Sequence, residues 1–399
     1  MALTTISPAS PGATAAVPRR PVASPAWRHV DVLLILAGAA LTALGVLMVY
    51  STTRVPQAAA GANPESYMVK QATYAAVAFA AFLGTIFFDY KRYLTWAPVL
   101  YVGSILLLLA TLAIGRTTLG ATSWIQVGSI EVEPAELVKV TFIISLAALL
   151  ASRKGNVTGR VLAVVLALSV LPFLLIYKQD ALGSAMVLAV VMIGMLLMAG
   201  TKGRHMFVLA LVAVVAIGGV FETGVLKQYQ KDRLFTFIEA PSGVTTNNDA
   251  NNPGAASIEY NLDQSKAAIA DGGISGKGLF KGPQTNLSYV PNQDTDFIFT
   301  AMAEQFGFVG SALLLVLFAI VVWRSWRASL VSRDLAGTLI CVGVLSMFMF
   351  QVFENVGMTM GIMPVAGITL PFMSYGGSSM VVDWIAIGLV VNVGMRRFL

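Results

Sequence analysis

Ten apolar runs, each about 20 residues long, set the class of structure this chain can adopt, because about that many residues carry a helix across a ~30 Å hydrocarbon core. They fall at 31–50, 70–88, 94–114, 136–152, 160–177, 183–200, 205–222, 297–322, 335–357 and 376–395. Hydrophobic residues make up 57% of the 399 positions and charged ones 12%, with a mean hydropathy of +0.77. That is too little charge to cover a water-soluble globule of this size. The expected fold class is therefore an all-α polytopic membrane protein with about ten transmembrane helices. The fourth run is the least apolar, since Glu136 and Lys139 lie in its first turns.

Lysine and arginine in the short loops give the orientation. Arg19, Arg20, Arg28, Lys91, Arg92, Arg153, Lys154, Arg160, Lys202, Arg204, Arg324, Arg327, Arg333, Arg396 and Arg397 all fall on one side of a ten-span arrangement. Arg54, Lys70, Arg116 and Lys178 fall on the other. Both termini are expected in the cytoplasm. One long extracytoplasmic loop, about 223–295, then joins the seventh and eighth helices. The net charge of +6 serves this asymmetry, and no nucleic-acid partner is expected. Residues 1–28, rich in Ala, Pro, Ser and Thr, are expected as a disordered cytoplasmic tail ahead of a transmembrane domain over 29–399. A cleavable signal peptide is not expected, because the first apolar run is long and begins late. The single cysteine, Cys341, allows no intramolecular disulfide and no cysteine-based metal site.

The long loop divides by composition. Gly243 to Pro253 is rich in Asn and Thr and is expected to be mobile. Ser257 to Ala270 places Ile258, Leu262, Ser265 and Ile269 at helical spacing, which predicts an amphipathic helix lying on the membrane. Asp271 to Gly282 is dense in glycine but lacks the Gly-Lys-Ser/Thr ending of a phosphate loop. It is expected as a flexible re-entrant loop carrying Lys277 and Lys281. Arg233 offers a planar fork for a phosphate or carboxylate, or a headgroup anchor.

Charged groups beside apolar runs are costly to desolvate and are therefore candidates for function. Asp294 and Asp296 sit at the mouth of the eighth run, where either would serve as a helix cap and where a carboxylate would also suit a general base. In Glu133-Pro-Ala-Glu-Leu-Val-Lys139, Glu136 and Lys139 are three apart and can pair on one helix face. The pair would be either a structural ion pair or the polar wall of an outward-facing cavity. Glu304, Glu354 and Asn355 add polar groups at similar depth. Pro371 to Ser379 is too rich in Ser, Gly and Pro to be helical, and such backbone at membrane depth needs protein or a polar cavity around it.

These motifs resemble the shape, elongation, division and sporulation (SEDS) family, of RodA and FtsW type. The resemblance runs from about residue 30 to the end. It rests on Gly120 to Lys139 with Trp124 and Glu-Pro-Ala-Glu-x-x-Lys; on Tyr260-x-x-x-Gln264-Ser265-x-x-Ala-Ile269; on Thr295-Asp296-Phe297 with Glu304; and on Leu370-Pro-Phe-Met-Ser374-Tyr375-Gly-Gly-Ser-Ser379. Tyr229-Gln-x-x-Arg233-Leu and the compact C-terminus slightly favour the RodA branch. Ser123 and Asp294 stand where family members commonly have Arg and His. Asp180 stands one position early, and Ala366 and Thr369 replace Thr and Pro.

The resemblance implies a peptidoglycan glycosyltransferase that polymerises lipid II, an undecaprenyl-pyrophosphate-linked disaccharide peptide, at the outer face beside a class B penicillin-binding protein. The family's essential aspartate maps onto Asp296. Its tryptophan, glutamate and lysine map onto Trp124, Glu136 and Lys139. Arg233, Gln264, Ser265, Lys277, Glu304, Ser374 and Tyr375 complete the expected substrate-binding set. Lys139, Arg233, Lys277 and Lys281 are candidates to meet the leaving pyrophosphate, and a divalent cation, Mg or Mn, is a candidate to share that charge. No preassembled metal-ligand motif is visible. Two other readings stay open: a lipid II flippase using Glu136, Lys139 and Asp383 as a polar pathway, and a non-catalytic scaffold that activates a penicillin-binding partner.

Overall fold

The computed structural model describes residues 29–118, 121–127, 130–222 and 253–397. The expected tail over 1–28, the mobile stretch over 243–252 and Arg233 lie outside the described residues.

Eight described helices are long and apolar enough to cross a membrane. They are Val32–Ala59 (α1), Ser66–Phe87 (α2), Ala97–Ile114 (α4, after the short α3, Tyr90–Thr95), Pro134–Ser152 (α5), Gly159–Lys178 (α6), Ile298–Leu330 (α11), Leu335–Met360 (α12) and Gly377–Met395 (α13). The 17-residue apolar helix Leu182–Met198 (α7) and the helix Gly203–Glu222 (α8) occupy the sixth and seventh expected positions. Two further helices, Pro253–Gly272 (α9) and Pro283–Asn286 (α10), precede α11. The helices α5, α12 and α13 form the centre, where Phe142, Ile340, Val344, Phe348, Ile387 and Val391 are buried. The outer helices α2 and α4 turn Leu83, Val99 and Leu106 outward, which suits a lipid solvent. At one end of the molecule Asp31, before α1, pairs with Arg324 of α11 at 2.7 Å, and His29 and Arg397 line one cavity. Both ends of the described chain thus lie on the same face.

Three features depart from the expectations. First, the fold is not wholly helical. Arg116–Thr118 (β1), Ala121–Val127 (β2) and Ile130–Val132 (β3) form an antiparallel sheet in the order β1-β2-β3, pairing Arg116 with Trp124 and Gln126 with Glu131. The β-branched residues of this stretch, punctuated by Gly120 and Gly128-Ser129, are a hairpin signal.

Second, α9 does not use its apolar stripe on lipid alone. Leu262, Ser265 and Ala268 are buried, and the helix packs on α11 and α12. The Ser265 hydroxyl bonds to Thr300 and donates to the Thr359 carbonyl at 2.9 Å.

Third, α11 is broken. It has 33 residues, a length of about 50 Å at 1.5 Å per residue, which exceeds the hydrocarbon core. Gly307 takes φ 64° and ψ −162°, so residues 298–306 form an outer arm and the span begins after it. The break frees backbone groups, and the glycine-rich 273–278 segment satisfies them. Lys277 N donates to the Glu304 carbonyl at 3.0 Å and Gly278 N to that of Gln305 at 2.9 Å. In return, Phe308 N and Val309 N donate to Gly273 and Ile274 at 2.9 and 3.1 Å. The expected flexible loop is therefore laced to the kink. A Cβ on Gly307 would press on Gly276 N and lie 2.6 Å from the Ile274 oxygen. Gly307→Ala should cost about 2 kcal/mol or more, from backbone strain in a region essentially restricted to glycine and from this overlap. Thermal unfolding in detergent measures it, and an unchanged midpoint would show that the break tolerates a side chain.

Candidate active site

The 28 residues of α1 make it about 42 Å long, more than the hydrocarbon core requires, and its outer end provides posts for the loops. Ser51 donates to Gln305 Oε1 at 2.7 Å, and the Phe280 amide donates to the same oxygen at 2.9 Å. Gln293, buried, donates to the carbonyls of Thr52 and Thr285 at 3.0 and 2.9 Å. Arg54 donates to the Phe280 carbonyl at 2.7 Å, with its guanidinium 4.5 Å from the centre of that ring. Glu304, fully buried, accepts from Gln284 N at 2.7 Å, from Thr285 N at 2.9 Å and from the Thr285 hydroxyl. Its carboxylate therefore organises the start of α10, a part the sequence-level expectation of substrate binding did not assign to it.

Asp296 lies between this scaffold and α13. The helix α11 starts at Ile298 with Phe297 in the N-cap position, so neither Asp294 nor Asp296 occupies the cap. Three successive carbonyls leading into the helix are each held by a distant donor. Asp294 O accepts from Tyr375 N at 2.8 Å, Thr295 O from the Ser374 hydroxyl at 2.6 Å, and Asp296 O from Asn355 Nδ2 at 2.8 Å. The donors are themselves fixed. Asn355 also donates to the Ile368 carbonyl at 2.8 Å, and the Ser374 hydroxyl accepts from Leu370 N at 2.8 Å. Buried Gln71 donates to the Ser374 carbonyl at 3.0 Å. Tyr375 packs on Tyr67, with ring centres 5.0 Å apart. The Asp296 side chain remains half-buried at the edge of this clamp.

Across from it stands the start of α5. Glu133, half-buried, precedes the helix, and its amide donates to the Ser378 hydroxyl at 2.9 Å. Glu136 and Lys139 pair at 2.6 Å with both side chains buried, and the second Glu136 oxygen has no hydrogen-bond partner. Asp383, buried in α13 within electrostatic reach of this pair, accepts from Phe372 N at 2.9 Å. Loss of water pushes the Glu133 carboxyl up to about 8, with the negative charges of Glu136 and Asp296 adding and Lys139 opposing. The direction favours the protonated form of Glu133. Burial likewise raises the Asp294 carboxyl.

A carboxyl raised in the folded state binds a proton that the unfolded chain has already lost. Stability from this group is therefore complete below the ordinary value of 4.5 and is lost as pH rises through about 8. Glu133→Gln should flatten the fall of the thermal midpoint between pH 5 and pH 9 (working values of about these magnitudes). Parallel slopes in the two proteins would show that Glu133 ionises without cost.

The remaining expected residues are more dispersed. Trp124 stands on β2, half-buried. Lys277 pairs with Asp271 at 2.6 Å, and both are substantially exposed, as is Lys281. Gln264 is half-buried on α9, whereas Ser265 is spent on helix packing. Among the described residues no three His, Cys, Asp or Glu side chains converge as a metal site. Gln71 and Glu133 are the site residues to which sequence reasoning gave no role, and Asn355 was noted there only as a polar group at similar depth. An amide inside an otherwise apolar helix was the available signal for Gln71.

With this geometry, residues 31–398 match the family model described as cell cycle protein, which groups FtsW, RodA and SpoVE. The chain is 32% identical over 370 residues to stage V sporulation protein E of Bacillus subtilis, covering 91% of this chain and 96% of that one. It is 30% identical to peptidoglycan glycosyltransferase RodA of Treponema pallidum, over 92% of this chain and 98% of that one. It is also 32% identical to a probable peptidoglycan glycosyltransferase FtsW of Geobacter metallireducens, over 92% and 95%. This likeness does not separate the branches. Among solved structures, one described as the structural coordination of polymerization and crosslinking by a peptidoglycan synthase complex matches with TM-score 0.75 and 28% identity, over 93% of this chain and 99% of that one. The rod shape determining protein RodA of Thermus thermophilus matches with TM-score 0.67 and 27% identity, over 94% and 100%. The protein is thus a multi-pass protein of the cytoplasmic membrane and a member of the FtsW, RodA and SpoVE family.

Proposed function

We propose that this chain is a peptidoglycan glycosyltransferase that joins lipid II units into β-1,4 glycan at the outer face of the membrane, with Asp296 as general base. The observation that carries this reading is the clamp on three successive carbonyls, 294 to 296, by Tyr375, Ser374 and Asn355. A base must be held where the proton leaves, and this backbone is held by three donors from two separate segments. Asp296 takes the proton from the acceptor sugar's 4-hydroxyl. That oxygen attacks the donor's anomeric carbon as the bond to the phosphate oxygen breaks. Undecaprenyl pyrophosphate leaves with the electron pair, and the α-linked donor becomes a β-linked product. Burial pushes the Glu133 carboxyl nearby toward its neutral form, and a neutral neighbour favours the ionised base at Asp296.

Lys139 is buried against Glu136, so among the described residues of the expected set the exposed Lys277, paired with Asp271, and the exposed Lys281 are the cations accessible to the leaving pyrophosphate. A divalent cation, Mg or Mn, would neutralise charge on the leaving pyrophosphate, though no three acidic, histidine or cysteine side chains converge to hold one among the described residues. A class B penicillin-binding protein is the proposed partner, which would crosslink the strand. The buried Glu136, Lys139 and Asp383 within the membrane would equally suit a lipid II transporter. Liposomes loaded with labelled lipid II separate the two: polymer without faster transbilayer movement supports the transferase, and movement without polymer would refute it.

A further inference from the structure

The end of the molecule opposite Asp296 holds a cavity of about 220 Å³ that the proposed reaction does not use. It lies where α1 begins and where α11 and α13 end, and His29, Asp31, Arg324, Arg327, Arg397 and Val390 line it. Among the described lining residues three arginines thus accompany one carboxylate. That carboxylate is already engaged: Arg324 donates from Nε to Asp31 Oδ1 at 3.0 Å and pairs from Nη2 with Oδ2 at 2.7 Å, while Leu34 N donates to Oδ1 at 3.1 Å. Counted over the described lining residues, three arginines against one carboxylate leave a net positive charge. Its depth is marked by Trp323 and Trp326, which are 51% and 43% exposed on either side of Arg324. Exposed tryptophans of this kind settle at the headgroup level of a bilayer.

We propose that this inner-face cavity binds the phosphate of an anionic phospholipid headgroup. Arginine forks suit phosphate oxygens, and a water occupies ~30 Å³, so the volume admits a phosphodiester with a few waters. A lipid phosphate arrives at this depth with its glycerol and acyl chains already in the membrane, whereas a free phosphate must be drawn from water. The cytoplasmic leaflet, to which the basic loops assign this face, is the negatively charged one. The site would tie the cytoplasmic ends of α1, α11 and α13 together and does not depend on the glycosyltransferase reading.

Native mass spectrometry of the delipidated full chain, titrated with phosphatidylglycerol or phosphatidylcholine, tests this. The wild type should retain phosphatidylglycerol preferentially. Arg327→Gln with Arg397→Gln should weaken that binding on the order of ten-fold or more while leaving phosphatidylcholine retention unchanged. Asp31→Asn, which removes the one carboxylate among the described lining residues, should strengthen it, an opposite sign that loss of folding would not produce. Equal retention of the two lipids, or an undiminished preference in the double variant, would overturn the proposal. So would displacement of the lipid by millimolar inorganic phosphate, which would mark a soluble-anion site. Should the double variant fail to fold, Asp31→Asn decides alone, and no gain in that variant overturns the assignment.

Discussion

Asp296→Asn is expected to lower glycan polymerisation by a factor of at least about 10², within the 10² to 10⁴ that a positioned base contributes. The amide is nearly isosteric but cannot accept the acceptor hydroxyl's proton at neutral pH. The fold should be spared. The clamp holds its backbone carbonyl on Asn355 and the neighbouring carbonyls on Ser374 and Tyr375, and the substitution touches none of these three bonds. The thermal midpoint and retention of the penicillin-binding partner should therefore match the wild type while polymer disappears. Asn355→Ala makes the complementary case: it leaves the carboxylate in place but frees the carbonyls of Asp296 and Ile368. Each unsatisfied buried group costs about 1–3 kcal/mol, so both stability and activity should fall.

Glu304→Ala is the second large effect, and it should appear first as lost stability. Three donors converge on this buried carboxylate, from Gln284 N, Thr285 N and the Thr285 hydroxyl. Removing it strands them and leaves a void beside Gly282, whose added Cβ would press on the same carboxylate. A loss of roughly 3 kcal/mol or more is expected. Because α10 carries Thr285, whose carbonyl accepts from Gln293 just ahead of Asp296, polymerisation should fall as well. Thermal unfolding in detergent checks the order of causes. A variant that keeps its midpoint yet makes no polymer would instead place Glu304 on the substrate, as its motif position suggested.

Much of this was legible from residue patterns, and the exceptions have physical causes. Apolar runs and basic loops carry the helix positions, because desolvation cost acts on each segment independently. The break at Gly307 was not legible, since the run 297–322 is apolar on both sides of it. Only the partnership with residues 273–278 shows where the freed backbone groups go. The sheet over 116–132 was signalled by Thr, Val and Ile between glycines but was overshadowed by the helical majority. Asp296 stood out because a carboxylate at a helix mouth is costly to keep. Its clamp did not, because the donors lie at 355, 374 and 375, and spacing along the chain says nothing about which loops meet. For the same reason Ser265 and Glu304 drew attention as polar motif residues, and each proves engaged in holding elements together.

The central claim is that this chain itself polymerises lipid-linked disaccharide through Asp296. The most direct measurement incubates the purified wild type and Asp296→Asn with lipid II, each with a penicillin-binding partner whose transpeptidase is blocked, and resolves the glycan products by gel. Long glycan strands from the wild type and only unreacted lipid II from the variant are predicted. Polymer in equal yield from both would contradict the assignment of Asp296 as base.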